Sequence, residues 1–178
     1  GKIAPLEGVL KYSEGLYYFD MMTPFHLVKD NLLYVTYMVD HSVYVYDINT
    51  GKLLVEKDIS PEDAGVMVSP IETEIASYEN LSDLRRRAAS YGPLYYHEEC
   101  NLFSRVYKYS LEQRNGSGNH MEVCIYDEDF NIVGSEIIKT GYIDFIFPTQ
   151  DGFVAVAKNN TDADSVKFIR YKIKSQIK

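Results

Sequence analysis

The sequence has no tryptophan, only two cysteines and no apolar run long enough to cross a bilayer as a helix. Such a span needs about 20 consecutive, mainly apolar residues, so we expect none here. Cys100 and Cys124 lack the CxxC or HxxxH spacing that accompanies metal sites. We predict that both are small buried hydrophobic residues on strands, with a disulfide between neighbouring strands as the alternative.

Basic residues are scarce too. The chain has 18 lysines and arginines against 26 acidic residues, which gives a formal net charge of -8. Proteins bind nucleic acids and anionic membranes through a basic electrostatic field, which this composition does not provide overall. We therefore expect no nucleic-acid partner. The first residues lack the apolar core of a signal peptide, and we expect that any targeting segment has been removed.

Catalytic sequence motifs are missing as well. The chain contains neither a GxSxG nucleophile motif nor an HExxH zinc motif, and no serine, histidine and aspartate stand in a supporting motif. We expect no cofactor and no tightly held metal, and we favour a protein that is not an enzyme.

Tyrosine, in contrast, is abundant. Sixteen tyrosines and many β-branched residues predict an all-β protein, because such side chains suit a pleated, half-buried surface. Residues 41–59, HSVYVYDINTGKLLVEKDI, form two alternating runs around a turn. Asn49 and Thr50 suit the centre of that turn, and Gly51 suits a following position with positive φ. Both faces of the first run are mostly apolar, which is typical of a strand inside a stack of sheets.

This hairpin pattern recurs along the chain. Residues 43–51 align with residues 123–131, which places Asp129 in the second turn and Asn131 on Gly51. Asparagine is the residue that most readily replaces glycine in the left-handed region, so we expect Asn131 to occupy that position. Three further pairs of segments align in the same way: 31–37 with 101–107, 30–36 with 151–157, and 42–48 with 165–171.

Repeated units whose strands are apolar on both faces are typical of propeller blades, which are four-stranded antiparallel sheets packed face to face. We predict an all-β chain of about three to three and a half such blades. A complete propeller typically has about 4 to 8 blades, so we interpret the chain as part of one. The predicted organisation is a single partial propeller domain over residues 1–178, with a blade remnant at 1–24 that carries a hairpin at 8–22, blades at 25–59, 91–140 and 141–178, and a helical insert at 60–90.

The insert carries helix signals. Ser69 and Pro70 suit the start of a helix, and Glu72 completes a capping box. An alternative start lies at Asn80 or Ser82. We expect the helix to be stopped by the Gly92-Pro93 pair.

One polar cluster is a candidate metal site. His97, Glu98 and Glu99, with His120 and Glu122 on the next predicted strand, offer nitrogen and oxygen ligands. Linear spacing does not show that these groups converge. The favoured interpretation is therefore a set of solvated residues at strand ends, with no metal.

Two other groups are candidates for ligand binding. Arg85, Arg86 and Arg87 form the basic run of an acidic chain and suit a carboxylate, an acidic glycan or a phosphate. A solvated helix face with acidic partners four residues away is the commoner explanation. Tyr95 and Tyr96 suit a sugar or peptide surface, although we expect most tyrosines to belong to the blade cores.

The segments VYVYDINTGKLL at 43–54, SYGPLYYHEECNLFSRVYKYSL at 90–111 and MEVCIYDEDFNIVGSEII at 121–138 resemble the later blades of a known family. It is a family of six-bladed β-propellers from Bacteroidales, of the TolB-like or lipoprotein type and of unknown function. The resemblance implies a secreted protein of the periplasm or cell surface. It also implies that the chain is the C-terminal half, or a shortened relative, of such a propeller.

Two functions follow as alternatives. The favoured one is a non-catalytic binding or scaffold propeller of the cell envelope, whose partner is a peptide, a glycan or a protein. The other is a glycan lyase or hydrolase that uses acids and histidines on the propeller rim. Because an arc of three blades leaves the outer faces of its first and last sheets open, we also expect a homodimer, or a partner that completes the propeller.

Overall fold

A computed structural model describes residues 16–17, 24–65, 71–72, 78–113, 121–138, 146–156 and 167–174. Within these ranges the chain forms thirteen strands and one helix. The helix α1 spans Tyr78–Arg87. The strands are β1 (Leu16–Tyr17), β2 (Pro24–Lys29), β3 (Leu32–Tyr37), β4 (Ser42–Asp47), β5 (Leu53–Asp58), β6 (Ile71–Glu72), β7 (Ser90–His97), β8 (Leu102–Lys108), β9 (Met121–Tyr126), β10 (Ile132–Ile138), β11 (Ile146–Thr149), β12 (Gly152–Val156) and β13 (Phe168–Lys172).

Eleven of the strands form three antiparallel sheets. The helix lies between the first two sheets in sequence. Sheet 1 has the order β2-β3-β4-β5, sheet 2 the order β7-β8-β9-β10 and sheet 3 the order β11-β12-β13. The remaining strand pair joins β1 to β6. The prediction of an all-β chain with propeller-like blades is confirmed. No described helix is both long and apolar enough to span a membrane.

The sheets are arranged like neighbouring blades. Strand β7 contacts both β2 and β11, so the first strands of successive sheets lie next to one another. The fourth strands, β5 and β10, are exposed along most of their length. Each segment pair that aligned in sequence also occupies matching strands: β3, β8 and β12 are second strands, and β4, β9 and β13 are third strands.

The core between sheets 1 and 2 is rich in aromatic rings. The Phe103 ring lies 5.2 Å from Tyr34 and 5.1 Å from Phe130, measured between ring centroids. Large rings of this kind remove much apolar area from water, which is the main favourable contribution to folding. The buried residues of this core are Tyr34, Val43, Val45, Ile59, Leu94, Phe103, Cys124, Tyr126 and Phe130.

A second core joins sheets 2 and 3. Side chains alternate between the two faces of each strand, so the residues between those of the first core point toward sheet 3. They bury Val106, Met121, Val123 and Ile138 of sheet 2 against Ile146, Phe153 and Ala155 of sheet 3.

The far face of sheet 1 is also buried. It carries Val35, Tyr37, Tyr44 and Tyr46, and the last two are only 7% and 2% exposed. We expected this face to be open, as the end of an arc. That expectation is wrong, because these four side chains are buried.

The helical insert differs from its prediction. Ile71 and Glu72, read as the first turn of a helix, instead form β6 and pair with Tyr17 and Leu16 of β1. The helix begins at Tyr78 and ends at Arg87. Strand pairing from a distant part of the chain has thus overridden the local capping signal, which lies partly on residues 69 and 70 outside the described ranges.

The prediction that the Gly92-Pro93 pair stops the helix is also wrong. Gly92 and Pro93 do not stop a helix but lie inside β7, at a register shift between Tyr91 and Leu94. A bulge tolerates proline because it leaves a residue unpaired.

The two cysteines differ from each other in position. Cys100 lies in the turn after β7, and not on a strand as predicted, and is half-buried. Cys124 is buried on β9 as predicted, and both are free thiols. The predicted hairpin at 8–22 falls outside the described residues except for β1.

The two aligned turns differ by one residue. Gly51 has φ +70°, which confirms its predicted left-handed conformation. In the second turn the left-handed residue is Phe130, at φ +59°, and not Asn131. The cause is loop length, since the Asp47 amide donates to the carbonyl of Lys52 whereas the Asp127 amide donates to that of Asn131.

Asp129 and Asn131 still serve the second turn. The amides of both donate to the Asp127 carboxylate, at 3.0 and 2.8 Å. In the first turn the amide and hydroxyl of Thr50, next to Asn49, donate to the Asp47 carboxylate in a similar way. These bonds hold the pKa of Asp47 below its usual value. Turn chemistry therefore accounts for these acids.

Gly51→Val is expected to lower the free energy of unfolding by about 1 kcal/mol, because a β-branched residue is strained at positive φ. No atom lies within 4 Å of an added Cβ, so steric contact contributes nothing. Urea unfolding measures the change. Gly51→Asn is the control and should cost much less, because asparagine tolerates this conformation. Equal stability of the wild type and Gly51→Val would contradict the turn assignment.

Candidate functional site

The described members of the candidate metal cluster do not come together. His97 is fully buried, whereas Glu98 and Glu99 are exposed in the following turn. Glu122 is buried on β9, where its carboxylate accepts a hydrogen bond from the Tyr109 hydroxyl at 2.6 Å. His120 lies outside the described residues. No group of three or more potential ligands comes together in the described part of the chain.

His97 is a structural residue between sheets 2 and 3. Its Nδ1 lies 2.8 Å from the Thr149 carbonyl oxygen, and its Nε2 lies 2.7 Å from the Ser104 hydroxyl. A carbonyl only accepts, so Nδ1 donates to Thr149, and Nε2 accepts from Ser104. Burial lowers the pKa of His97 below its usual value, against a smaller opposing effect of the Asp151 charge. Ser104 is itself buried, so this serine and histidine pair has no access to a substrate.

The basic run lies on helix α1. The side chains of Arg85 and Arg86 are outside the described residues. Arg87 is exposed, and its Nε lies 2.6 Å from the Asp83 carboxylate one turn earlier. This pair matches the predicted acidic partner four residues away.

Tyr95 and Tyr96 lie on β7 and are half-buried. The Tyr96 ring packs on Phe103, with centroids 5.1 Å apart, and the Lys29 ammonium lies over the ring, 4.7 Å from its centre. Its hydroxyl donates to Asn101. Burial raises the pKa of Tyr95. Tyr96 is therefore committed to contacts within the chain.

Arg105 is the residue that sequence reasoning missed. It is fully buried on β8, between sheets 1 and 2. Its guanidinium donates to the carbonyl oxygens of Tyr37 at 2.7 Å, Gly92 at 3.2 Å and His41 at 3.4 Å. It also lies 4.1 Å from the centre of the Tyr91 ring. The available signal was the alignment, because Arg105 occupies the position of Val35 in an otherwise apolar strand.

The surroundings of Arg105 form a connected polar cluster. His41 Nδ1 lies 2.7 Å from the Tyr91 hydroxyl, and Asp40 accepts from the Tyr44 hydroxyl at the same distance. Burial lowers the pKa of Arg105 to about 10, so the side chain remains charged at neutral pH. Its bonds to carbonyls and a ring hold the two sheets together. The arrangement supplies no acid and base pair that faces an open cleft.

The accessible candidate surface is the outer face of sheet 3. Phe147 pairs with Val154, and Phe168 pairs with Val156, which places all four on the face that turns away from sheet 2. Phe147 is 48% and Phe168 is 58% exposed. Arg170 and Lys172 lie on the same face and contact the Asp151 carboxylate at 2.8 and 2.9 Å.

The comparisons with known proteins agree with this architecture. Residues 7–137 match the family DUF4221, which is described as a domain of unknown function. A crystal structure of a DUF4221 member from Bacteroides vulgatus has a TM-score of 0.63 and 14% sequence identity, and the match covers 87% of this chain and 47% of that chain. This chain therefore spans about half the length of that protein. No curated protein matches the sequence.

The resemblance seen in the sequence is thus supported as to a domain family of unknown function with a member in Bacteroides. The matched range takes in sheets 1 and 2 almost completely. The chain belongs to the DUF4221 family.

Proposed function

We propose that this chain is a non-catalytic binding or scaffold module of the cell envelope, and that it docks through the outer face of sheet 3. The observation that carries the proposal is the exposure of Phe147 and Phe168 side by side with Val154 and Val156. A contiguous exposed apolar patch commonly marks an interaction site.

The other sheet faces support this assignment by contrast. The faces between sheets 1 and 2 and between sheets 2 and 3 are filled by apolar side chains. The far face of sheet 1 is buried as well. The face that carries Phe147 is the next surface in the same stack, and it lacks a described partner sheet. A further sheet would bury it as its predecessors are buried.

A second copy of the chain is our proposed occupant. Arg170 and Lys172 on this face both contact the Asp151 carboxylate of their own chain, which offsets their charge where two copies would meet. Two copies related by a twofold axis would place one sheet 3 on the other, and twofold dimers are the commonest assembly.

Phe168→Glu is expected to convert a dimer of this chain into a monomer, because it places a charge in the apolar contact. Sedimentation equilibrium at micromolar concentration measures the mass against 20.4 kDa for one chain. Val28→Glu is the matched control, since Val28 is also 58% exposed but lies on sheet 1. It should leave the dimer intact.

A wild-type chain that stays monomeric and does not aggregate would overturn the homodimer. A dimer that both variants leave intact would place the contact elsewhere. The envelope location has its own test, which is fractionation of the producing cells with a periplasmic and a cytoplasmic marker. Recovery with the cytoplasmic marker would contradict it.

A further inference from the structure

Sheet 3 differs from the other two sheets by one strand. Sheets 1 and 2 end in a fourth strand, β5 or β10, which pairs with the third strand. In sheet 3 the third strand is β13, and no described strand pairs with its other edge. The position of a fourth strand is therefore open among the described residues.

The hydrogen-bond pattern of β13 shows which groups face this open edge. The Ile173 amide donates to the Asp151 carbonyl at 2.8 Å, so this residue points toward β12. Groups along an antiparallel strand alternate between the two edges. The amide and carbonyl groups of Phe168, Arg170 and Lys172 consequently point away from β12, toward the open edge. Unpaired edges of this kind accept a further strand.

A groove with both apolar and polar walls lies beside the same edge. It has a volume of about 620 Å³ and separates β13 from strands β9 and β10 of sheet 2. Gly134 and Glu136 of β10 pair with Ile125 and Val123 of β9, which places them on the face toward sheet 3. The groove is the outward continuation of the core between sheets 2 and 3. Its apolar walls are formed by Leu102, Val123, Ile125, Val133, Phe153 and Tyr171.

We propose that this groove binds an extended segment of a partner protein, which adds to β13 as the fourth strand of sheet 3. Strand addition combines main-chain hydrogen bonds to the edge with side-chain contacts in the groove. Alternate side chains of the added strand would face Ile125 and Val133, and the others would lie on the outer face of sheet 3. The inference rests on the proposed binding role and names the kind of partner that the module takes.

The charge of the edge determines the chemistry of the partner strand. Lys167, Arg170, Lys172 and Lys174 lie along or next to β13, Asp151 is the acid that contacts two of them, and Glu136 lines the groove from β10. Pairing β13 with β13 of a second copy would place like charges opposite each other, which is unfavourable. A strand with aliphatic residues at alternate positions and acidic residues at its ends complements the site.

The fourth strand of sheet 2, β10, supplies the sequence of a peptide that probes this chemistry. A fluorescein-labelled peptide with the sequence of residues 129–138, DFNIVGSEII, is aliphatic and acidic. We expect saturable binding by fluorescence anisotropy. Amide exchange measured by NMR should show protection at Phe168, Arg170 and Lys172, and no comparable change along β5.

A matched pair of variants tests the groove. Gly134 lines it, and no atom lies within 4 Å of an added Cβ, so Gly134→Val fills the groove without a clash. We expect this variant to weaken peptide binding at least tenfold. Leu54→Val places the same side chain on the exposed fourth strand of sheet 1 and should leave binding unchanged.

Modified peptides separate strand addition from apolar adhesion. One peptide is N-methylated at Ile132, Gly134 and Glu136 and the other at Val133, Ser135 and Ile137, so each removes the amide donors of one edge. We expect one of them to lose binding at least tenfold and the other to retain it. Equal binding of both, or binding by Gly134→Val at wild-type strength, would overturn the proposal.

Two further outcomes are distinct. Protection of the β13 edge in the free chain, rising with protein concentration, would assign the edge to a second copy and contradict a partner strand. A failure of the peptide to bind, with Phe168→Glu still dissociating a dimer, would overturn the groove proposal alone and leave the outer face of sheet 3 as a docking surface.

Discussion

Arg105→Ala is expected to lower the free energy of unfolding by about 3 kcal/mol or more, the largest effect of any single change considered for this chain. The guanidinium satisfies three carbonyl oxygens, those of Tyr37, His41 and Gly92, and Arg105 itself is fully buried. A buried acceptor left without a donor costs about 1 to 3 kcal/mol. The cavity left by the side chain adds to that cost.

Two other replacements separate these contributions. Arg105→Met fills most of the volume but leaves the carbonyls unpaired, and it should still be strongly destabilising. Arg105→Lys keeps the charge, but an ammonium group lacks the planar fork that reaches three acceptors at once. We expect its stability to lie between that of the wild type and Arg105→Met.

Urea unfolding followed by circular dichroism measures these differences. Arg87→Ala is the matched control, because Arg87 is an exposed arginine whose partner Asp83 is also solvent-accessible. Exposed ion pairs contribute about 0 to 1 kcal/mol. If Arg105→Met were as stable as the wild type, the carbonyl bonds of Arg105 would not hold the two sheets together.

Arg105 also shows where sequence reasoning about this chain stopped. Short, mostly apolar runs bounded by turn residues predicted the strands of sheets 1 and 2. A strand that is buried on both faces leaves this kind of run in the sequence. The partners of Arg105 are main-chain carbonyls from β7 and from the β3 to β4 region, and a carbonyl has no sequence signature. An arginine in an apolar strand was visible, but the groups that satisfy it were not.

The predictions for the start of the helix and for the second turn were wrong for related reasons. The capping pattern before Glu72 is local, whereas the pairing of Glu72 with Leu16 depends on a segment far away in sequence. Phe130 takes a left-handed conformation that its residue type disfavours, since the second turn closes one residue earlier, and burial of its ring against Tyr34 and Phe103 offsets the strain. In both cases tertiary contacts outweighed a local preference.

The candidate metal cluster shows that sequence spacing does not report the direction in which side chains point. His97 and Glu99 are two residues apart, yet His97 is buried at the end of β7 and Glu99 is exposed in the following turn. Both ring nitrogens of His97 are already committed to Thr149 and Ser104. The neutral imidazole is consequently part of the contact between sheets 2 and 3.

His97→Leu should lower the free energy of unfolding at pH 8 by about 2 kcal/mol, because it leaves the Ser104 hydroxyl and the Thr149 carbonyl without partners in a buried site. Ser104→Ala is the milder control. It removes one of the two hydrogen bonds and keeps the imidazole, so its cost should be about 1 kcal/mol.

The effect of His97→Leu should also depend on pH. Burial lowers the pKa of His97 in the folded state, so the folded chain favours the neutral ring. An unfolded chain titrates near the usual histidine pKa of about 6.5. The stabilisation from neutral His97 is therefore fully present above about pH 6.5, and it is lost as the pH falls through the folded pKa.

The wild type should accordingly lose its advantage over His97→Leu as the pH is lowered from 8 to 5. Melting temperatures of both proteins at each pH give the difference, in which the other histidines, His26, His41 and His120, largely cancel because both proteins contain them. The nearby carboxylate of Asp151 opposes the lowering of the His97 pKa. Its contacts with Arg170 and Lys172 offset part of its negative charge. An advantage that stayed constant or grew toward pH 5 would mean that His97 is charged in the folded chain, and its hydrogen bond from Ser104 would then have to be reassigned.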